Sequence, residues 1–132
     1  MEKRNNMEIV YYSNNNDGCP VKEYFNRLKG RVRLLVDIDS KLRHTKENKN
    51  SHLLSALHGY NFFEIKQRKN KNTVIRILVY FYKDKFALLN VFEKPDNYKE
   101  TRIKKDIDKN YSKTKEYLEK FLLNPSNYEK YD

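Results

Sequence analysis

The sequence predicts an α+β domain: a small, twisted, mainly antiparallel sheet with two N-terminal helices packed on one face and a helix at the C-terminus. Three observations point there. Apolar residues recur at helical spacing in two early segments. Three closely spaced runs between 61 and 92 alternate with a period of two. Charged residues then dominate a long segment that again repeats with helical period. The chain has 132 residues, the size of one domain, so 1–132 is read as a single unit with 112–132 as a helical extension ending in a frayed tail.

Each element has its own signal. Residues 7–12, rich in Ile, Val and Tyr, read as a strand. Residues 13–18, with consecutive asparagines and then Asp17-Gly18, read as a turn. Pro20 suits the first turn of a helix. Val21, Tyr24, Phe25 and Leu28 give that helix one apolar face, and Gly30 ends it. The helical period resumes over 31–43, and 45–51 is polar and reads as a loop.

Three strands follow. In 61–68, Phe63 and Ile65 lie on one side and Glu64, Lys66 and Arg68 on the other. In 73–83, Ile75, Ile77, Val79 and Phe81 oppose Val74, Arg76, Leu78, Tyr80 and Tyr82. In 86–92, Ala87, Leu89 and Val91 oppose Phe86, Leu88, Asn90 and Phe92. Such short connections require antiparallel pairing. The first strand is expected at one edge of this meander. Helices on the wholly apolar face leave the mixed face, with Arg68, Arg76, Tyr80 and Tyr82, open to solvent. Lys94-Pro95-Asp96 breaks the last strand, 98–123 is expected to be helical with gaps in its apolar spacing, and 124–132 is the tail.

Composition narrows the function classes. Hydrophobic residues make up 38% and charged residues 35%, but the apolar ones are clustered, as in a folded domain with a polar surface. The formal net charge is +10, from 28 Lys plus Arg against 18 Asp plus Glu. Such a field draws polyanions, with nucleic acid first and an acidic protein second. Lys and Asn abound throughout, so compositional bias supplies part of the surplus. Cys19 is the lone cysteine, which leaves no disulfide framework and suits a cytoplasmic protein. No apolar run is long enough to span a bilayer, and residues 1–6 lack the apolar stretch of a signal peptide. His44, His52 and His58 lack ligand-like company, so no metal or other cofactor is expected.

The mixed face carries chemistry suited to RNA. Phosphates are held by Arg and Lys through charge-assisted hydrogen bonds, and exposed bases stack on flat rings. Arg76, Tyr80 and Tyr82 share one side of a strand, and Lys66 and Arg68 sit on its neighbour. Each residue also has a plain structural role open to it. Tyr80 and Tyr82 suit any half-exposed strand, Arg76 can pair with Glu64, and Lys69 and Lys71 suit a solvated turn.

The order strand, two helices, three-stranded meander resembles the RelE/HigB-type toxins, especially their phage-derived HigB-like branch. Gly18-Cys19-Pro20-Val21-Lys22-Glu23-Tyr24-Phe25 looks like that branch's first helix start. Phe63-Glu64-Ile65-Lys66-Gln67-Arg68, Val74-Ile75-Arg76-Ile77-Leu78-Val79-Tyr80-Phe81 and Leu88-Leu89-Asn90-Val91-Phe92-Glu93-Lys94 resemble its strand motifs. The resemblance covers roughly 8–110. It implies a metal-independent endoribonuclease that cleaves messenger RNA on the ribosome, by attack of a ribose 2′-OH on the adjacent phosphorus with departure of the 5′-oxygen. Carried over by position, Arg68, Arg76 and Lys94 are the implied catalytic residues, as an electrostatic cradle for the pentavalent phosphorus. Lys66, Tyr80, Tyr82 and Asn90 are the implied RNA-binding residues. Asn90 stands where the motif commonly has His, and Pro95 replaces its second Lys. Asn cannot carry a proton as a general acid or base does; Glu64 and Glu93 are the nearby carboxylates. The resemblance also implies a helix-turn-helix antitoxin as partner, with operator DNA contacted only through it. The rival expectation is a non-catalytic RNA- or DNA-binding or protein-interaction module of the same fold.

Overall fold

The computed structural model describes residues 7–95 and 101–131. In chain order it has β1 (Glu8–Tyr12), α1 (Pro20–Arg27), α2 (Val32–Lys46), β2 (Ser55–Ala56), β3 (Phe63–Asn70), β4 (Thr73–Tyr82), β5 (Lys85–Pro95), α3 (Thr101–Leu123) and β6 (Tyr128–Lys130). These strands form one six-stranded sheet in the order β2-β3-β4-β5-β1-β6. No helix among the described residues is long and apolar enough to cross a membrane. The expected break at Asp96, the start of the last helix at Tyr98 and the N-terminal residues 1–6 lie outside the described residues.

The meander is as expected. β3 pairs with β4, and β4 with β5, both antiparallel. The expected edge position of β1 is corrected. It lies between β5 and β6, parallel to β5 with Ile9 opposite Phe86 and Tyr11 opposite Leu88. Parallel pairing follows because α1 and α2 form the crossover between β1 and the meander. The tail is also corrected. Far from fraying, Tyr128–Lys130 closes the β1 edge in antiparallel register. Tyr131 then packs its ring against Tyr11 at 5.4 Å and donates its hydroxyl to Asp39 at 2.6 Å.

The start of α1 has a local cause. Gly18 takes φ +71°, which L side chains disfavour. A Cβ there would lie 2.7 Å from Glu23 Oε2. That carboxylate accepts a hydrogen bond from the Cys19 amide at 3.0 Å, so it serves the helix start. The Gly-Cys-Pro-Val-Lys-Glu pattern is thereby explained by backbone geometry. α2 runs through Lys46, so the expected loop at 45–51 begins two residues late. Thr45 is buried in the last turn of α2, where its hydroxyl is satisfied by the Lys41 carbonyl at 2.8 Å.

Both faces of the sheet are covered. α1 and α2 bury Val21, Phe25, Ile38 and Leu42 against Ile9, Ile65, Ile75, Ile77, Val79, Phe86 and Leu88. On the opposite face α3 buries Ile107, Tyr117, Leu118 and Phe121 against Val10, Tyr12, Leu78, Ala87, Leu89 and Phe92. The expected open face is therefore closed. One further expectation fails within β5. Val79 pairs with Leu88 but Leu78 pairs with Asn90, so a bulge inserts one extra residue. Past it the alternation flips: Leu89, Asn90 and Phe92 share the α3 side while Val91 joins the α1–α2 side.

Candidate nucleic-acid interface

Register fixes which side chains share a face. Arg68, Val74 and Lys94 form one row across β3, β4 and β5. Lys66, Arg76 and Phe92 form the next row, and Glu64, Leu78 and Asn90 the one after. Neighbouring strands lie about 4.8 Å apart. The four expected cations Lys66, Arg68, Arg76 and Lys94 thus do share one side of the sheet, the side on which α3 lies.

Their surroundings differ from expectation. Arg76 is 7% exposed and Glu64 1%. Arg76 Nη1 donates to Glu64 Oε1 at 2.6 Å and to Tyr111 Oη at 3.1 Å. The Tyr111 hydroxyl in turn donates to Glu64 Oε2 at 2.8 Å. Burial, and then that bond to the Glu64 carboxylate, raise the Tyr111 pKa and keep it a phenol. The charge of Arg76 is therefore answered by Glu64, beneath a ring carried by α3. Only Arg76 Nε is left buried with no hydrogen-bond partner on this side chain.

Asn90, the residue at the His position of the motif, is also under α3. Its amide donates to Thr114 Oγ1 at 3.0 Å, and Thr114 donates to the Asn110 carbonyl at 2.8 Å. Lys94 is buried as well and engaged with its surroundings. Tyr80 and Tyr82 are half-buried at the margin of the α3 cluster. Phe121 meets the Tyr82 ring edge-on at 5.4 Å, and Lys83 Nζ lies 5.3 Å from its centre. The two rings pack at the edge of the α3 cluster and stay half-exposed. Arg76, Lys94 and Asn90 are thus not accessible to a substrate here, against the expectation of an open cleavage face.

Lys66 and Arg68 do reach solvent. The Arg68 guanidinium caps the β3–β4 turn, donating to the Lys71 carbonyl at 3.1 Å. Glu93, the other carboxylate near the motif, points to the α1–α2 side. It accepts from Tyr24 at 2.6 Å and from Lys69 at 2.7 Å. Burial pushes its pKa up, but the bonds from Lys69 and Tyr24 outweigh this and hold it below the usual range. Both carboxylates are engaged by neighbouring side chains.

The residues missed from the sequence are Tyr111 and Thr114 on α3, Arg33 and Lys41 on α2, and Arg31 just before it. A signal for the first pair existed. Ile103, Ile107, Tyr111, Thr114, Leu118 and Phe121 form an unbroken helical stripe once Thr114 is counted as a core residue facing Asn90. For α2, Lys41 Nζ donates to the Lys66 carbonyl at 2.9 Å and Arg31 Nη2 to the Lys69 carbonyl at 3.3 Å. These contacts lie along the β3 edge beyond its short pairing with β2. No protein-family model, curated protein or solved structure matches the chain.

Proposed function

We propose that this chain is an RNA-binding protein laid out like the RelE/HigB-type toxins, with the sheet-face cleavage residues held out of reach beneath α3. One observation carries this reading. Arg76 is neutralised by Glu64 under Tyr111, while Lys66, Arg68, Lys71, Arg31 and Arg33 remain at the surface around the β3–β4 hairpin. The net charge of +10 supports a polyanion partner. Exposed cations bind phosphate without chemistry; cleavage needs charge aimed at the reacting phosphorus.

The test uses the purified full chain with fluorescent single-stranded RNA and, separately, with ribosomes translating a reporter messenger. RNA binding that weakens with salt, and an intact messenger, are expected. A messenger cut by the wild type but not by Arg76→Ala overturns the non-cleaving reading.

That outcome would establish the second reading, a ribosome-dependent endoribonuclease silenced by a helix-turn-helix antitoxin. The shared face of Lys66, Arg68, Arg76 and Lys94 favours it. It requires α3 to leave the sheet when the ribosome is bound. Under it, expression of the wild type arrests growth, the Arg68→Ala/Arg76→Ala double variant does not, and the antitoxin binds both.

A further inference from the structure

The first turn of α2 faces the β3–β4 hairpin across an open cleft of about 460 Å³. Its charged lining is Arg31, Arg33, Arg68 and Lys69 against Asp37. Three of the four cations are partly committed. Arg31 ties the hairpin to α2 through the Lys69 carbonyl, Lys69 pairs with Glu93 at 2.7 Å, and Arg68 caps the turn through the Lys71 carbonyl. Asp37 is the one carboxylate in the cleft's lining, beside those four cations. The cleft lies between the first turn of α2 and the end of β3, and its lining includes none of Arg76, Glu64 and Tyr111, so it is distinct from that buried cluster.

A structural role explains part of this set. Lys41 and Arg31 cover carbonyls along the unpaired stretch of β3, which discourages edge-to-edge association. It does not explain Arg33, which is exposed, lines the cleft and makes no ion pair or side-chain hydrogen bond among the described residues. The opening turn of α2 adds to the field, since it has neither a side-chain cap nor an acidic residue. The side chains make the site; the helix end only reinforces it.

We propose that this cleft binds a backbone phosphate of RNA, with Arg33 as its principal unpaired ligand and Arg31 and Arg68 as flanking donors. The proposal rests on the RNA-binding reading and adds to it a phosphate site between α2 and the end of β3. A guanidinium donates two parallel hydrogen bonds to phosphate, a geometry a carboxylate-bearing peptide also satisfies, so the test includes one.

The test measures anisotropy of a labelled single-stranded RNA with the full chain, its Arg33→Gln and Arg33→Glu variants, and Lys115→Glu. Lys115 is exposed on α3 and controls for a general change in net charge. Arg33→Gln is expected to weaken binding about tenfold, as loss of a charge-assisted phosphate contact does. It should also lower the slope of log Kd against log salt by about 0.7. Arg33→Glu should lose more, and Lys115→Glu clearly less. Unchanged thermal unfolding of the Arg33 variants ties the loss to binding. Equal losses for Arg33→Glu and Lys115→Glu overturn the cleft and leave the RNA-binding reading standing. A wild type that does not bind RNA at all overturns both. A labelled poly-glutamate peptide that binds as tightly, with the same loss on Arg33→Gln, overturns the assignment to RNA.

Discussion

The contact between Arg76 and Glu64 decides more than any other pair of side chains. A guanidinium and a carboxylate taken out of water together are tolerated because each answers the other and Tyr111 completes the set. Removing one partner is therefore costly. Glu64→Ala should destabilise the chain by about 3–5 kcal/mol, because Arg76 is left charged and unanswered. Tyr111→Phe, which deletes hydrogen bonds and preserves the ring, should cost about 1–3 kcal/mol. Urea unfolding of both variants checks the order. The pairing of Arg76 with Glu64 was readable from the sequence as an alternative, since alternation placed both on one side of adjacent strands. Tyr111 was not, because nothing local links it to residues so distant in sequence. A second residue-scale case concerns pH. Burial works to raise the Asp17 pKa, but hydrogen bonds from Tyr12 at 2.7 Å and Lys120 at 3.0 Å outweigh it, and the net shift is downward. A carboxyl depressed in the folded state contributes stability above its unfolded pKa, and that contribution is lost as pH falls through the folded value. Asp17→Asn should therefore unfold more easily than the wild type at pH 7, with the gap closing below about pH 4. A gap that persists unchanged into acid would show that the ionised form is not what matters.

Among elements, β5 and α3 show where periodicity stops being informative. Alternation along β5 holds until the bulge, and one inserted residue exchanges the faces of everything after it. No residue in the run 86–92 marks the bulge, because Leu88, Leu89 and Val91 are equally suited to either side. In α3 the stripe looked broken because Thr114 is polar, yet its hydroxyl is spent on Asn110 and Asn90. The β-hairpins, by contrast, were legible because short turns leave no alternative to antiparallel pairing. Asn90→His, which restores the residue usual in the motif, must fit a larger ring against Thr114. It should destabilise by about 1–3 kcal/mol and confer no messenger cleavage, as measured by unfolding and by the translating-ribosome assay.

At the scale of the molecule, the sheet has an apolar layer on each side, and this follows from how residues are shared out along β1. Ile9 and Tyr11 face α1 and α2, whereas Val10 and Tyr12 face α3. A strand apolar on both faces belongs inside a three-layer arrangement. The gap that polar Thr114 leaves in the apolar spacing of 98–123 is what hides the second covered face from the sequence. A chain stopped after Pro95 would uncover Leu78, Leu89 and Phe92 at once and should associate rather than remain a monomer. Sedimentation of the truncated and full chains distinguishes the cases; a truncated chain that stays monomeric would mean α3 is dispensable for the fold.

The parallel seat of β1 beside β5 also sets a timetable. During synthesis Glu8–Tyr12 emerges first, yet its partner Lys85–Leu88 emerges only after both helices and the whole of β3 and β4. Its other neighbour, Tyr128–Lys130, comes later still. The oldest strand must wait, apolar on both sides, until the youngest is made. A growing chain that has not yet reached Tyr128–Lys130 therefore lacks the completed six-stranded sheet.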